Sequence, residues 1–81
     1  MNATLDEVRS IVLEEFPDTD ISAIGEVNSY RIGGIIHSKA FMNKSVRERQ
    51  QMISDKIRRR LGLRGINIGI LFPLAPGESL Q

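Results

Sequence analysis

The stretch "INIGILFPLAPGE", residues 66–78, decides how the rest of the chain is read. Ile66, Ile68 and Ile70 alternate with Asn67 and Gly69, the period-two pattern of a strand with one buried face. From Ile70 to Phe72 the alternation gives way to an unbroken apolar run, followed by Pro73 and Pro76. The pattern predicts a strand over 66–72, ended by prolines that lack the amide a ladder needs. Its apolar half is expected to be the buried central strand of a sheet, with Asn67 as its one polar side chain.

Working back from that strand, "GLRG" at 62–65 supplies a helix stop, with Gly62 as the residue after the last helical turn. The helix it ends runs from Val46 to Leu61, and Ser45 is placed to cap its start. Val46, Ile53, Ile57 and Leu61 fall within about 80° on a helical wheel and predict the core-facing stripe, with Gln50 inside it. Arg47 and Arg58 flank that stripe on one side, and Lys56, Arg49 and Arg60 on the other. Arg59 points outward. Ser54 and Asp55 favour caps over helix interiors and predict an irregularity there. Further upstream, "YRIGGIIHSKAF", 30–41, predicts a strand in which Gly33 and Gly34 mark a bulge or close packing under a helix. "MNKS", 42–45, is a loop. "ISAIGEV", 21–27, predicts a shorter strand, and "NS", 28–29, a turn. The chain opens with a helix: Thr4 and Glu7 have capping-box spacing, Leu5, Val8, Val12 and Phe16 form one apolar stripe, and Pro17 stops it. Asp6 and Glu7 suit the positive end of its dipole. The order α-β-β-α-β predicts an α+β two-layer sandwich with a three-stranded sheet and helices on one face.

Eighty-one residues, read as a single domain over 1–81, support only a modest core. There is no cysteine, which removes disulfides, thiolate metal sites and cysteine nucleophiles. The acidic amphipathic start is unlike a signal peptide, and no apolar run approaches the roughly 20 residues of a membrane span. A cytoplasmic protein without membrane contact is expected. Charge is unevenly spread. Residues 1–28 hold seven carboxylates against Arg9 alone, and residues 39–64 hold nine lysines and arginines against Glu48 and Asp55. Such polarity marks either a basic binding face or two oppositely charged helices that solubilise each other, and charge alone favours the second.

Catalytic constellations are missing. His37 is the only histidine, with Ser38 and Lys39 as its nearest polar neighbours, and reads as an ordinary strand-end histidine. Ser38, Ser45 and Ser54 lack a nucleophile-elbow pattern, and the acidic residues lack calcium-loop spacing. A non-enzymatic protein without cofactor is expected. "GLRG" shares its letters with the loop by which KH domains clamp nucleic-acid backbone, but here it joins a helix to a strand, where a cap glycine and a turn glycine explain it. The basic residues Arg47, Lys56, Arg58, Arg59, Arg60 and Arg64 are the candidate binding set for phosphates or for a protein partner. Aromatic residues for base stacking are few, and all three phenylalanines are expected in the core, so nucleic-acid binding would address backbone rather than sequence.

Three stretches together resemble the BolA family from Leu5 to Glu78: "HSKAFMNKS" (37–45), "VRERQQMI" (46–53) and "INIGILFPLAPGE". Gln50-Gln51 resembles the family's paired-glutamine branch, and Ala75-Pro76-Gly77-Glu78 stands where the family carries its Thr-Pro-x-Glu tail. The resemblance implies the αββ(α)αβ arrangement, similar to type II KH domains, and a regulatory module linked to transcription and stress response. It also implies a histidine at the position of Asn67, sharing an iron–sulfur cluster with a monothiol glutaredoxin. Asparagine is a poor iron ligand, and "GEVNSY" between the first strands offers neither Cys nor His. The leading expectation is therefore a binding module that uses its basic helical face on nucleic acid or a protein. An iron–sulfur adaptor docking on glutaredoxin, and a lineage-specific interaction domain, are the alternatives.

Overall fold

Thr4 and Glu7 satisfy each other's backbone amides, with Glu7 N–H donating to Thr4 Oγ1 at 3.1 Å and Thr4 N–H to Glu7 Oε1 at 3.0 Å. This capping box starts helix α1, Leu5–Glu15, in the computed structural model, which describes residues 1–28 and 30–80. Val8, Val12 and Phe16 are fully buried along one stripe, with Leu5 packed partly against them. Phe16 closes the helix just before Pro17 and stacks against Phe41, ring centroids 5.0 Å apart. The chain then makes a 3-10 turn, Ile21–Ala23, strand β1, Ile24–Glu26, and strand β2, Ile32–His37. The strands are shorter than the predicted 21–27 and 30–41, because 3-10 turns at Ile21–Ala23 and Lys39–Phe41 take up the flanks. Of the predicted turn at 28–29, Ser29 lies outside the described residues. Asn28 Oδ1 accepts from the amides of Tyr30 and Arg31, a side-chain mimic of a backbone turn.

A second capping box, Ser45 with Glu48, starts helix α2, Val46–Ile53. At Ser54 the helix widens into a π segment, Ser54–Arg58, and tightens again over Arg59–Leu61. Gly62 ends it at φ +57°, where a side chain would be strained. Ile53, Ile57 and Leu61 face the core as expected, but Val46 is 74% exposed and leaves the stripe. Residues after Ser54 lag behind an ideal wheel, because a π turn advances less rotation per residue than an α turn.

The sheet order is β1-β2-β3, with β1 antiparallel and β3, Ile68–Leu74, parallel to β2. Ile24, Ile32, Ile36, Ile68 and Leu71 meet the helical stripes in one buried cluster. The expected α+β class and three-stranded sheet are found; three details of the last strand differ. First, β3 is an edge strand and β2 is central. Second, 62–67 is a 3-10 turn rather than strand, so Ile66 is 76% exposed. Third, pairing continues through Pro73 opposite Ile36 and Leu74 opposite His37. Proline is admitted because β3 lies at the edge, where a missing amide leaves no ladder bond unmade.

The register explains the apolar run. Ile32 faces Ile68 and Gly34 faces Leu71, so β3 holds one more residue than β2 across this step. That bulge reverses the face of everything after it. Ile68 and Leu71 point into the core, while Ile70, 64% exposed, and Phe72, 38% exposed, point away from it. Phe72 therefore leaves the predicted core. Gly33 and Gly34 sit at the bulge: a Cβ on Gly33 would lie 2.8 Å from the Ile70 carbonyl, and one on Gly34 2.1 Å from the Ala23 carbonyl. The close packing is against neighbouring backbone, not under a helix.

Candidate functional site

Most of the six basic residues predicted as a binding face have partners within the molecule. Arg60 bridges Glu14 at 2.7 Å and Glu15 at 3.1 Å, Lys56 reaches Glu15 at 3.6 Å, and Arg64 pairs with Glu7. All three bind the acidic helix α1 to the end of the second helix. The pairing holds Arg60 above its ordinary pKa through Glu14, and Glu7 below the usual carboxylate range through Arg64 and its capping bond to Thr4. Arg59 stays on its own helix, 3.3 Å from Asp55. Arg58 donates to the carbonyls of Gly69 at 2.9 Å and Ile68 at 3.4 Å. Arg47 is exposed and forms no ion pair among the described residues. The charge asymmetry of the sequence is thus largely consumed by α1 meeting the second helix.

Arg58 is one of three side chains that cover the outer edge of β3. Gln50 donates to the Leu71 carbonyl at 3.4 Å and Arg49 to the Pro73 carbonyl at 3.1 Å. The carbonyls of Gly69, Leu71 and Pro73 alternate along the strand, so the helix satisfies the acceptors that an incoming strand would use. Gln50, the polar residue inside the apolar stripe, has its reason here. At the other edge Arg9 donates twice to the Ile24 carbonyl of β1, at 2.9 and 2.6 Å.

Arg49 also holds the C-terminal tail. Its guanidinium donates to both oxygens of Glu78, at 2.6 and 3.1 Å, and the Ala75 amide donates to Glu78 Oε1 at 2.9 Å. These bonds hold Glu78 down to about 2. His37 Nε2 lies 3.4 Å from the Glu78 carbonyl oxygen, so the single histidine joins this tail contact. At the other end of the sheet, Asn67 Nδ2 donates to the Ala3 carbonyl at 3.0 Å while the Ala3 amide donates to the Arg64 carbonyl at 2.7 Å. Asn67 therefore fastens the N-terminal segment. Its buried Oδ1 has no partner among the described residues. Those residues contain no cluster of three His, Asp or Glu that could hold a metal.

A concavity lies where the sequence offered no candidate, on the sheet face turned away from the helices. It is a hollow of about 550 Å3. Val27 of the β1–β2 connection, Ile35 of β2, and Ile70 and Phe72 of β3 form its walls, and Gly34 and Gly69 its floor. Leu80 from the tail closes one side and is 53% exposed. Among the described residues, Arg31 is the only charged one in the lining, and it makes no ion pair with them. Its described lining is otherwise apolar side chains, an alanine and glycines. Its signal in the sequence was the unbroken Ile70-Leu71-Phe72 run: a strand apolar on both faces is suited to cover on both. Among the described residues no helix is long and apolar enough to cross a membrane. Comparison with family models, curated proteins and solved structures found no match to this chain.

Proposed function

We propose that this protein is a non-enzymatic, BolA-like binding module whose partner is another protein, held on the open face of the sheet. The observation that carries this reading is the apolar hollow formed by Val27, Ile35, Ile70 and Phe72 on an otherwise well-packed small domain. Large exposed apolar patches on folded domains mark contact surfaces. The α-β-β-α-β order and the three-stranded mixed sheet agree with the BolA-like arrangement.

The engagement of Lys56, Arg58, Arg60 and Arg64 inside the molecule weighs against the phosphate-binding reading, because each would have to abandon an existing partner to meet a phosphate. Asn67 weighs against cluster sharing with a glutaredoxin, since its amide is committed to Ala3.

The test is site-specific photo-crosslinking in the native host, with a benzophenone side chain at position 72 or at position 47. Adducts from position 72 that survive nuclease, are digested by protease and disappear with Ile70→Asp support the reading. Adducts from position 47 that vanish on nuclease treatment, with none from position 72, would restore the nucleic-acid interpretation.

A further inference from the structure

We infer that the open face of the sheet takes a short linear segment of a partner protein, one that carries a bulky apolar anchor next to an acidic residue. The inference rests on the protein-docking reading above and adds the chemistry of the occupant. Three features of the hollow specify it.

The first is that side chains of the helices cover backbone carbonyls on both sheet edges. Arg9 occupies the outward carbonyl of Ile24, and Arg58, Gln50 and Arg49 occupy those of Gly69, Leu71 and Pro73. Pro73 has no amide to offer. A strand pairing along β3 has to displace those side chains, and β1, three residues long, offers little backbone to pair with, so recognition falls to side chains entering the face.

The second is size. Val27, Ile35, Ile70 and Phe72 are part-exposed, and such a patch amounts to a few hundred Å2. This falls short of the roughly 800 Å2 that each partner contributes to a standard interface. A volume of about 550 Å3 suits a few side chains of an extended segment better than the sheet of a second copy. The protein's own tail shows the mode: Leu80 already rests against the hollow with half its surface in water.

The third is charge. The stem of Arg31 runs along Gly69, its Cδ 3.8 Å from where a Cβ would stand, and the head remains at the rim. The tail brings its own carboxylate, Glu78, within two residues of Leu80. That carboxylate is held by Arg49 and Ala75 at the opposite end of β2. The tail therefore supplies the apolar half of the occupant, and among the described residues no carboxylate answers Arg31. A segment with both halves displaces Leu80, because a carboxylate at Arg31 adds a charge-assisted bond that no described residue of the tail makes.

The experiment uses a phage-displayed library of random dodecapeptides selected on the full-length protein. Chosen peptides are then titrated calorimetrically against the wild type and against Arg31→Glu, Ile70→Asp and Leu80→Ser. All three positions are on the solvent side of the fold, and unchanged circular dichroism confirms that the variants remain folded. Selected sequences should pair Leu, Ile, Phe or Met with Asp or Glu within a few residues. Ile70→Asp and Arg31→Glu should each weaken binding by about tenfold or more, and Leu80→Ser should tighten it severalfold. Peptides that depend on Ile70 but lack acidic residues and ignore Arg31→Glu would overturn the inference while leaving the docking reading intact. Failure to select any Ile70-dependent peptide overturns the inference, and a concentration-dependent dimer abolished by Ile70→Asp in sedimentation overturns it in favour of a second copy.

Discussion

The bulge in β3 makes neighbouring residues opposite in consequence, and the pair Leu71→Ala and Ile70→Thr measures this. Leu71 is 1% exposed in the core, between the sheet and the second helix. Truncating it removes buried methyl groups and leaves a cavity, at a cost of about 2–5 kcal/mol. Ile70 keeps 64% of its surface in water, and threonine preserves its β-branch. Losing the buried remainder costs about 0.5 kcal/mol. A chain of this length has a total stability of roughly 4–12 kcal/mol. With a urea m-value of about 1 kcal/mol/M for a domain this small, Leu71→Ala should lower the midpoint by about 2 M or more and Ile70→Thr by about 0.5 M. Far-UV circular dichroism is the assay, since the chain has no tryptophan. Strict alternation from Ile66 through Ile68 to Ile70 gives the opposite ranking. If Ile70→Thr costs as much as Leu71→Ala, the register shift does not exist, and the open apolar face is lost with it.

Two further predictions probe the backbone and the tail. Gly34 has φ +143° and no room for a Cβ against Ala23 and Ile24, so Gly34→Ala should cost about 3 kcal/mol or more in the same titration. Gly25→Ala meets nothing within 4 Å and should be neutral or stabilise by up to about 1 kcal/mol through the unfolded chain. Equal effects of the two would remove the argument for close approach at the bulge. Glu78 is held at about 2, against an ordinary value of 4.5, so its ionised form favours the fold. Its contribution is complete above pH 4.5 and is lost as pH falls from there through about 2. A carboxyl 13C titration should find that midpoint, and Arg49→Gln should raise it toward the ordinary value; an unmoved midpoint would show that Arg49 is not its cause.

The first helix was legible in the sequence nearly residue by residue. Thr4, Glu7, Val8, Val12, Phe16 and Pro17 act within one or two turns of each other, and a cap or a stop is a local event. The same holds for Ser45, for Gly62, and for the irregularity at Ser54, which appears as a π segment. The order of elements followed from those boundaries. What the chain could not disclose was how its last strand pairs. A bulge is a relation between Ile32–Gly34 and Ile68–Leu71, more than thirty residues apart, and one inserted residue exchanges inside for outside without altering the composition of either strand. Whether β3 was central or an edge depended on where it docked, and that placement gave Arg49, Gln50 and Arg58 backbone carbonyls to bind. In the same way, the pairing of Lys56, Arg60 and Arg64 with the acidic first helix is visible only in the folded chain. Caps and stripes are set by neighbours in the chain and can be read along it. The roles of long charged side chains and the two faces of a strand are set by neighbours in space, so only the folded molecule decides them.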